Sequence, residues 1–250
     1  MINHFRAAIR MLLFVIASII YIIIGYPILF FTKKKPLYIL KIRSLYVKLI
    51  FILLGIRSIV KNVPQLDSFL LIINHRTYLD PVVIAKELLM FPLAKMEVSQ
   101  WPLIGIGAKL SGGFFVEREN KNSRNEASRK IVDFIKNENK IVMICPEGTT
   151  HTKPQTIEFK PRTFVNAAKN NIPIVPAAIE YGLKSDAWVG DDTFVRHFFE
   201  CFGKRRTNVI LSYGKPITNT NWEVLLSETQ EWIDREMLVI RKELGYSEDL

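Results

Sequence analysis

At 250 residues the chain is long enough for one α/β domain with an appendage or for two small domains, and with 49% hydrophobic residues it can bury a sizeable core. Its formal charge of +10 points to an anionic partner: membrane lipid, nucleic acid or an acidic carrier. The two cysteines, Cys145 and Cys201, make no disulfide framework and no CxxC, which suits a reducing compartment and excludes a thiolate zinc site.

Residues 11–32 (MLLFVIASIIYIIIGYPILFFT) carry no charge. As a helix this run is about 33 Å long, enough to cross a bilayer core. Arg6 and Arg10 precede it, and Lys33, Lys34 and Lys35 follow. It is too long for a cleaved signal peptide and no A-x-A site follows; a buried helix of a soluble protein is the remaining alternative. Residues 36–56 are a second apolar segment, whose Lys41, Ser44 and Lys48 form one narrow polar stripe while Arg43 falls off it. Such a helix lies in the membrane interface with its lysines among phosphates, or pairs back against the first. Gly25 and Pro27 permit a kink in the first run. Basic residues at both ends do not decide between a true crossing and a half-inserted hairpin. Residues 1–56 are thus expected to form an N-terminal apolar helical hairpin for membrane association, and residues 57–250 a separate domain.

From residue 57 the pattern changes. Residues 68–73, 140–145, 172–181 and 208–213 are short apolar or β-branched runs that read as strands. Residues 81–90, 123–137 and 162–170 have helical character, and 222–244 reads as a charged amphipathic helix. This alternation predicts an α/β domain with a mostly parallel sheet flanked by helices. Active sites of such sheets gather at strand ends. There is no internal repeat, low-complexity tract or long linker.

Four strand-end segments carry possible chemistry. Asn74-His75-Arg76-Thr77-Tyr78-Leu79-Asp80 follows the first strand. In an unbroken helix, His75 and Asp80 would point roughly 140° apart. At a strand-to-helix turn they can meet, with Asp80 at the helix start and Pro81 in the first turn. A carboxylate holding one imidazole nitrogen leaves the other as a general base for a hydroxyl. The plainer alternative is a surface histidine beside an ordinary N-cap. Next, Gly112-Gly113-Phe114-Phe115-Val116-Glu117-Arg118 puts an arginine after a short strand, able to grip a phosphate or simply to pair with Glu117 or Glu119. Cys145-Pro146-Glu147-Gly148-Thr149-Thr150 ends a strand with backbone N–H groups free to meet an anion, or is a plain Pro/Gly turn. Cys145 reads better as a small residue closing a buried strand than as a nucleophile. Last, Ile174-Val175-Pro176-Ala177-Ala178 has a proline in mid-strand, which argues for a bulge, an edge strand or an apolar wall beside a site.

In this order, NHRTYLD, GGFFVER, PEGTT and IVPAA resemble the four blocks of the glycerolipid acyltransferase family, the membrane enzymes that acylate lysophosphatidic acid. The resemblance covers roughly residues 57–215. It implies that His75 is the general base on the acceptor hydroxyl and Asp80 its partner. It implies that Arg118 binds the acceptor phosphate, that Phe115 in the same block is substrate-binding, that Glu147, Gly148 and Thr149 help bind the acceptor head group, and that Pro176 faces the acyl donor or shapes the pocket. Lys95 matches a lysine often found between the first two blocks, placed to stabilise charge near the thioester. The third block departs from the family pattern: Thr149-Thr150-His151 stands where the family continues Thr-Arg-Ser, so a phosphate site would have one fixed cation fewer. Phe159-Lys160-Pro161-Arg162 also lacks a glycine that the family often has. Residues 188–197 resemble a stretch of some bacterial members, as an acceptor-pocket wall or a plain surface helix.

The implied reaction is acyl transfer from an acyl thioester (acyl-CoA or acyl carrier protein) to lysophosphatidic acid. Another lysolipid, or a non-enzymatic lipid-binding role, is the alternative. With no Gly-x-Ser-x-Gly and no reactive cysteine, direct transfer is expected rather than an acyl-enzyme. The four histidines, at 4, 75, 151 and 197, have no ligand spacing, so no metal and no cofactor beyond the thioester is expected. Membrane lipids are the expected partners, at the inner face of the cell membrane. A nucleic-acid partner is not, for lack of any such motif.

Overall fold

The structure is a computed structural model that describes residues 2–31 and 35–246. Thr32, Lys33 and Lys34, at the end of the first apolar run, lie outside the described residues. In chain order the elements begin with α1 (Ile2–Phe31), α2 (Lys35–Leu54), β1 (Ile56–Lys61), β2 (Phe69–Ile73), α3 (Asp80–Ala85) and β3 (Met90–Lys95). A 3-10 turn (Met96–Gln100) leads to α4 (Ile104–Leu110), β4 (Phe114–Val116), α5 (Lys121–Lys136), β5 (Ile141–Ile144) and α6 (Arg162–Lys169). Then come β6 (Ile174–Tyr181), α7 (Phe194–Gly203), β7 (Thr207–Tyr213) and α8 (Trp222–Glu243). Two compact units, interleaved in sequence, are drawn from these elements.

The first unit is Met1–Arg57, Phe91–Ala127 and Thr193–Thr207. Small residues let α1 come close to its neighbours: Ala7, Ala17 and Ser18 are buried, and Tyr21 stacks on Tyr46 of α2 with ring centroids 4.5 Å apart. The Ser18 and Tyr46 hydroxyls lie 2.8 Å apart, so the two helices form a hairpin. The other side of α1 is an unbroken apolar stripe at helical spacing, with Ile2, Phe5, Ile9, Leu12, Ile16, Ile20 and Ile23 all exposed. Residues Ile2–Ile28 are long and apolar enough to cross a membrane by length and composition. Arg6 and Arg10 serve a purpose the sequence does not reveal. Arg6 Nη1 donates to Gly203 O at 2.9 Å, and Arg10 Nη1 donates to Phe202 O at 2.8 Å and Lys204 O at 2.7 Å, closing the carbonyl end of α7. On α2, Lys41 and Lys48 are exposed, whereas Arg43, off the stripe, is buried and donates to Ser111 O at 3.0 Å. Strands β3 and β4 pair in parallel, with Lys95 opposite Val116.

The second unit is Ser58–Met90, Ser128–Asp192 and Asn208–Leu250. Its strands run in the order β1-β7-β6-β2-β5. All five residues of β2 are buried, as a strand covered on both faces requires, and β2 is parallel to both β5 and β6. The α/β sheet flanked by helices is thus present and is mixed: β2 is parallel to both its neighbours, and β7 is antiparallel to β6. Helix α8 packs on β6 and α6, burying Leu225, Ile233, Met237 and Ile240 at helical spacing.

Two expectations need correction. The helix expected over 81–90 stops at Ala85, because Met90 already opens β3. Pro176 marks neither an edge nor a bulge: β6 lies between β7 and β2, with Ile72 opposite Pro176. Its carbonyl accepts from Gly214 N at 2.8 Å, one residue beyond the end of β7, so its missing N–H falls where that ladder has run out. Gly214 leaves room for the proline ring, since a Cβ there would sit 2.7 Å from Pro176 Cγ.

Candidate active site

The site starts where β2 ends. Asn74 sews the end of β2 to β6: its Nδ2 donates to Ile179 O at 2.9 Å, and Ile179 N donates to its Oδ1 at 2.8 Å. The chain then turns sharply, and Asp80 opens α3 with Pro81 in the first turn. The turn closes around one carboxylate. Asp80 Oδ2 accepts from Arg76 N at 2.8 Å and Thr77 N at 3.1 Å, and lies 2.8 Å from His75 Nδ1. Its Oδ1 accepts from the Tyr181 hydroxyl at 2.9 Å. Asp80 is fully buried, while the His75 side chain keeps 26% exposure. The carboxylate therefore orients the ring from inside, and the Nδ1–H tautomer it selects leaves Nε2 as the basic atom.

The electrostatics agree with that tautomer. Burial opposes a charge on His75, yet its pKa is held well above the ordinary imidazole value by Cys145 and by the Asp80 carboxylate. Burial pushes the Cys145 thiol up in turn, and its contact with His75 opposes that rise. The result is a stronger base than free imidazole, available once the pH exceeds its raised pKa.

The turn after β5 supports the same loop. Gly148, at φ +73°, takes the left-handed conformation that favours glycine, and its N–H donates to Cys145 O at 3.2 Å. Glu147 is buried and fully engaged. Its Oε2 accepts from His75 N at 2.6 Å; its Oε1 pairs with His151 Nε2 at 2.6 Å and accepts from Ile157 N at 3.2 Å. Thr149 is exposed. Thr150, at the place of the family's arginine, donates its hydroxyl to Trp188 O.

His75, Asp80, Glu147 and Gly148 are thus brought together, with Pro176 buried in β6 of the same unit. Lys95, Phe115 and Arg118 belong to the first unit. There Lys95, exposed, ends β3, and Arg118 lies two residues beyond β4, so the parallel register puts both cations at the same end of the two strands. The Arg118 carbonyl accepts from Arg124 Nη1. Among the described residues, no three His, Cys, Asp or Glu side chains are grouped to hold a metal ion.

Several contributors escape sequence reasoning. Arg76, inside the His75 motif, is a buried cation bonded to Glu180. Tyr181 and Glu180 come from β6, more than 100 residues away. Trp188 is pinned beside the motif: its N–H donates to Arg76 O at 2.9 Å, its indole N–H to Asp192 O at 2.7 Å, and its ring meets Tyr78 edge-on at 5.4 Å. The start of the 188–197 stretch therefore lies against the His75 motif within this unit. No local signal reports such long-range partners.

Comparison with known proteins adds context to this geometry. A family model described as Acyltransferase matches residues 57–180. The lyso-ornithine lipid O-acyltransferase of Rhizobium meliloti (strain 1021) is 29% identical over 192 residues, covering 66% of this chain and 63% of that protein. The 1-acyl-sn-glycerol-3-phosphate acyltransferase of Saccharomyces cerevisiae is 27% identical over 187 residues, covering 72% of this chain and 57% of that protein. The chain spans less than two thirds of the length of these curated relatives. The crystal structure of the 1-acyl-sn-glycerophosphate acyltransferase PlsC from Thermotoga maritima matches with a TM-score of 0.71 over 98% of this chain and 100% of that one, at 21% identity, a likeness of fold.

Proposed function

The chain belongs to the acyltransferase family, and from that premise we propose that it moves a fatty acyl chain from an acyl thioester to the free hydroxyl of lysophosphatidic acid, giving phosphatidic acid in phospholipid synthesis. The observation that carries this reading is the 2.8 Å contact between His75 Nδ1 and a wholly buried Asp80 carboxylate. A binding module has no use for an imidazole held as a base. In the proposed reaction His75 Nε2 takes the acceptor hydroxyl proton as the oxygen attacks the thioester carbonyl. The tetrahedral intermediate collapses with cleavage of the C–S bond, and the thiol leaves with the proton that His75 returns. Asp80 stabilises the imidazolium between these steps and is not itself protonated.

Arg118 is proposed to bind the acceptor phosphate bidentately, and Lys95 to stabilise charge developing at the thioester. Phe115 would contribute to the substrate wall, and Gly148 and Thr149 would offer N–H groups to the head group. Glu147 acts by holding the loop, since its oxygens are already taken by His75, His151 and Ile157. Pro176 shapes the sheet beneath the site. The donor is acyl-CoA or acyl carrier protein, with no further cofactor. The exposed stripe of α1 is proposed to enter one leaflet as part of a half-inserted hairpin at the cytoplasmic face of the cell membrane. Arg6 and Arg10, bonded to the end of α7, favour that arrangement over a span solvated by lipid all round.

A second acceptor has specific support. Thr150 stands where the family carries an arginine, and its hydroxyl is committed to Trp188 O. A lysolipid without a phosphate monoester, such as the lyso-ornithine lipid of the Rhizobium relative's name, would not miss that cation. The test is the full-length protein in vesicles, offered lysophosphatidic acid, lyso-ornithine lipid and lysophosphatidylcholine with each thioester type. Phosphatidic acid as the main product supports the first acceptor. A preference for lyso-ornithine lipid replaces it, and no acylation of any lysolipid overturns the reading.

A further inference from the structure

Three side chains take no part in the transfer steps and yet lead, bond by bond, to the main chain of the base. Arg76 is 1% exposed. Its Nε donates to Glu180 Oε1 at 2.8 Å, and Arg241 Nη1 approaches the same oxygen at 3.5 Å. Its other two nitrogens donate to His151 O and Lys153 O, each at 2.7 Å, and Nη1 also faces His151 Nδ1 at 3.1 Å. A guanidinium has donors only, so His151 Nδ1 must accept. Lys153 N donates to the same atom at 3.2 Å. With its lone pair committed there, the ring carries its proton on Nε2 and donates to Glu147 Oε1 at 2.6 Å. The other oxygen of Glu147 accepts from His75 N at 2.6 Å. Donor and acceptor alternate without a break from the buried cation to the base.

We propose that His151 is a positioning residue for the base: Arg76 fixes it as an Nε2–H imidazole, and through Glu147 that imidazole holds the His75 main chain where Nδ1 meets Asp80 and Nε2 is left for the acceptor. His151 stands where the family pattern has serine. The charged and titratable groups involved are Asp80, Cys145 and Glu147 around His75, and Arg76 and Glu147 around His151, with Glu180 and Arg241 behind Arg76. The kinetic half of the test rests on the acyl-transfer reading; the spectroscopic half does not.

The experiment compares full-length His151→Ala, His151→Phe and His151→Gln with the wild type in lipid nanodiscs. Alanine and phenylalanine remove the donor to Glu147; a glutamine amide can restore both the donor and an acceptor for Arg76. The expected result is a kcat lowered about tenfold to 10² in the Ala and Phe variants, the scale of a slightly misplaced catalytic group. Both Michaelis constants should stay within about twofold, and glutamine should recover most of the loss. In parallel, the NMR titration midpoint of His75 should move down in the Ala and Phe variants as its contact with Asp80 loosens, and return in the Gln variant. A raised acceptor Michaelis constant with unchanged kcat would make His151 an acceptor contact and overturn the proposal, as would an unmoved His75 midpoint. Should the Ala and Phe variants fail to fold, the wild-type ¹⁵N imidazole spectrum decides: Nε2–H for His151 supports the proposal, and Nδ1–H or a doubly protonated ring ends it. If the wild type acylates no lysolipid, the functional reading falls while both NMR readouts still decide the role of His151.

Discussion

The loop from Asn74 to Asp80 and the outer face of α1 treat burial in opposite ways. In the loop, polar groups lie buried and, the Thr77 hydroxyl excepted, are paired: Asp80 alone meets four donors, and Glu147 three. Along α1, large apolar side chains such as Phe5 at 70% and Ile23 at 64% stand exposed with nothing over them. Each arrangement is costly in plain water. Buried charge is tolerated only when hydrogen-bonded, and an exposed apolar stripe of this length is retained only where something apolar covers it. The first points inward to chemistry that needs a fixed geometry, the second outward to a lipid surface.

The comparison breaks most visibly at the base. His75→Ala should lower turnover by about 10² to 10⁴, the range for a lost general base, with folding and vesicle binding unchanged. Steady-state rates and vesicle sedimentation check it, and activity within a few-fold of wild type would remove His75 from the mechanism. Asp80→Asn comes next. The amide can keep its oxygen for the loop N–H groups only by turning its NH2 to the Tyr181 hydroxyl, and it carries no charge to hold the imidazolium, so turnover should fall by about 10² to 10⁴. Stability should drop by about 1–3 kcal/mol as buried charge-assisted hydrogen bonds become neutral ones, readable as a lower denaturation midpoint. Arg118→Ala tests the cation proposed for the acceptor phosphate. Its Michaelis constant for lysophosphatidic acid should rise about tenfold, equivalent to about 1.4 kcal/mol. A rise in the thioester constant instead would reverse the placement of the two substrates. The smallest effect belongs to the apolar stripe. Ile20→Glu, at an exposed position, should weaken vesicle binding by on the order of 1 kcal/mol without unfolding the chain; unchanged binding would detach α1 from the membrane.

What the sequence made legible was local. The four strands at 68–73, 140–145, 172–181 and 208–213 were readable because buried parallel strands are short apolar runs, and the final helix because its apolar residues recur at helical spacing. The His75–Asp80 contact was readable because Pro81 and the strand before it demand a turn at that point. By contrast, β3 hides behind Pro92, and α4 (IGIGAKL) carries two glycines in seven residues, so neither shows a periodic signal. Arg6 and Arg10 looked like flanking charges of a membrane run, yet they close α7, some 190 residues away. Likewise Arg76, His151, Tyr181 and Trp188 join the site through pairings over long stretches of chain, which no window of sequence contains.

A buried carboxylate tunes the imidazole base, and the pH dependence of kcat/KM in the wild type and in Asp80→Asn tests this directly. A base must be neutral to act, so activity should rise with pH through the His75 pKa. Burial opposes the charged ring, but Cys145 and Asp80 outweigh it, so the wild-type acid limb should lie well above the ordinary imidazole pKa of about 6.5. Removing the anion leaves burial less opposed. In Asp80→Asn the limb should therefore move to lower pH even as the plateau falls. A limb that stays in place, or moves upward, would contradict the claim that Asp80 sets the base.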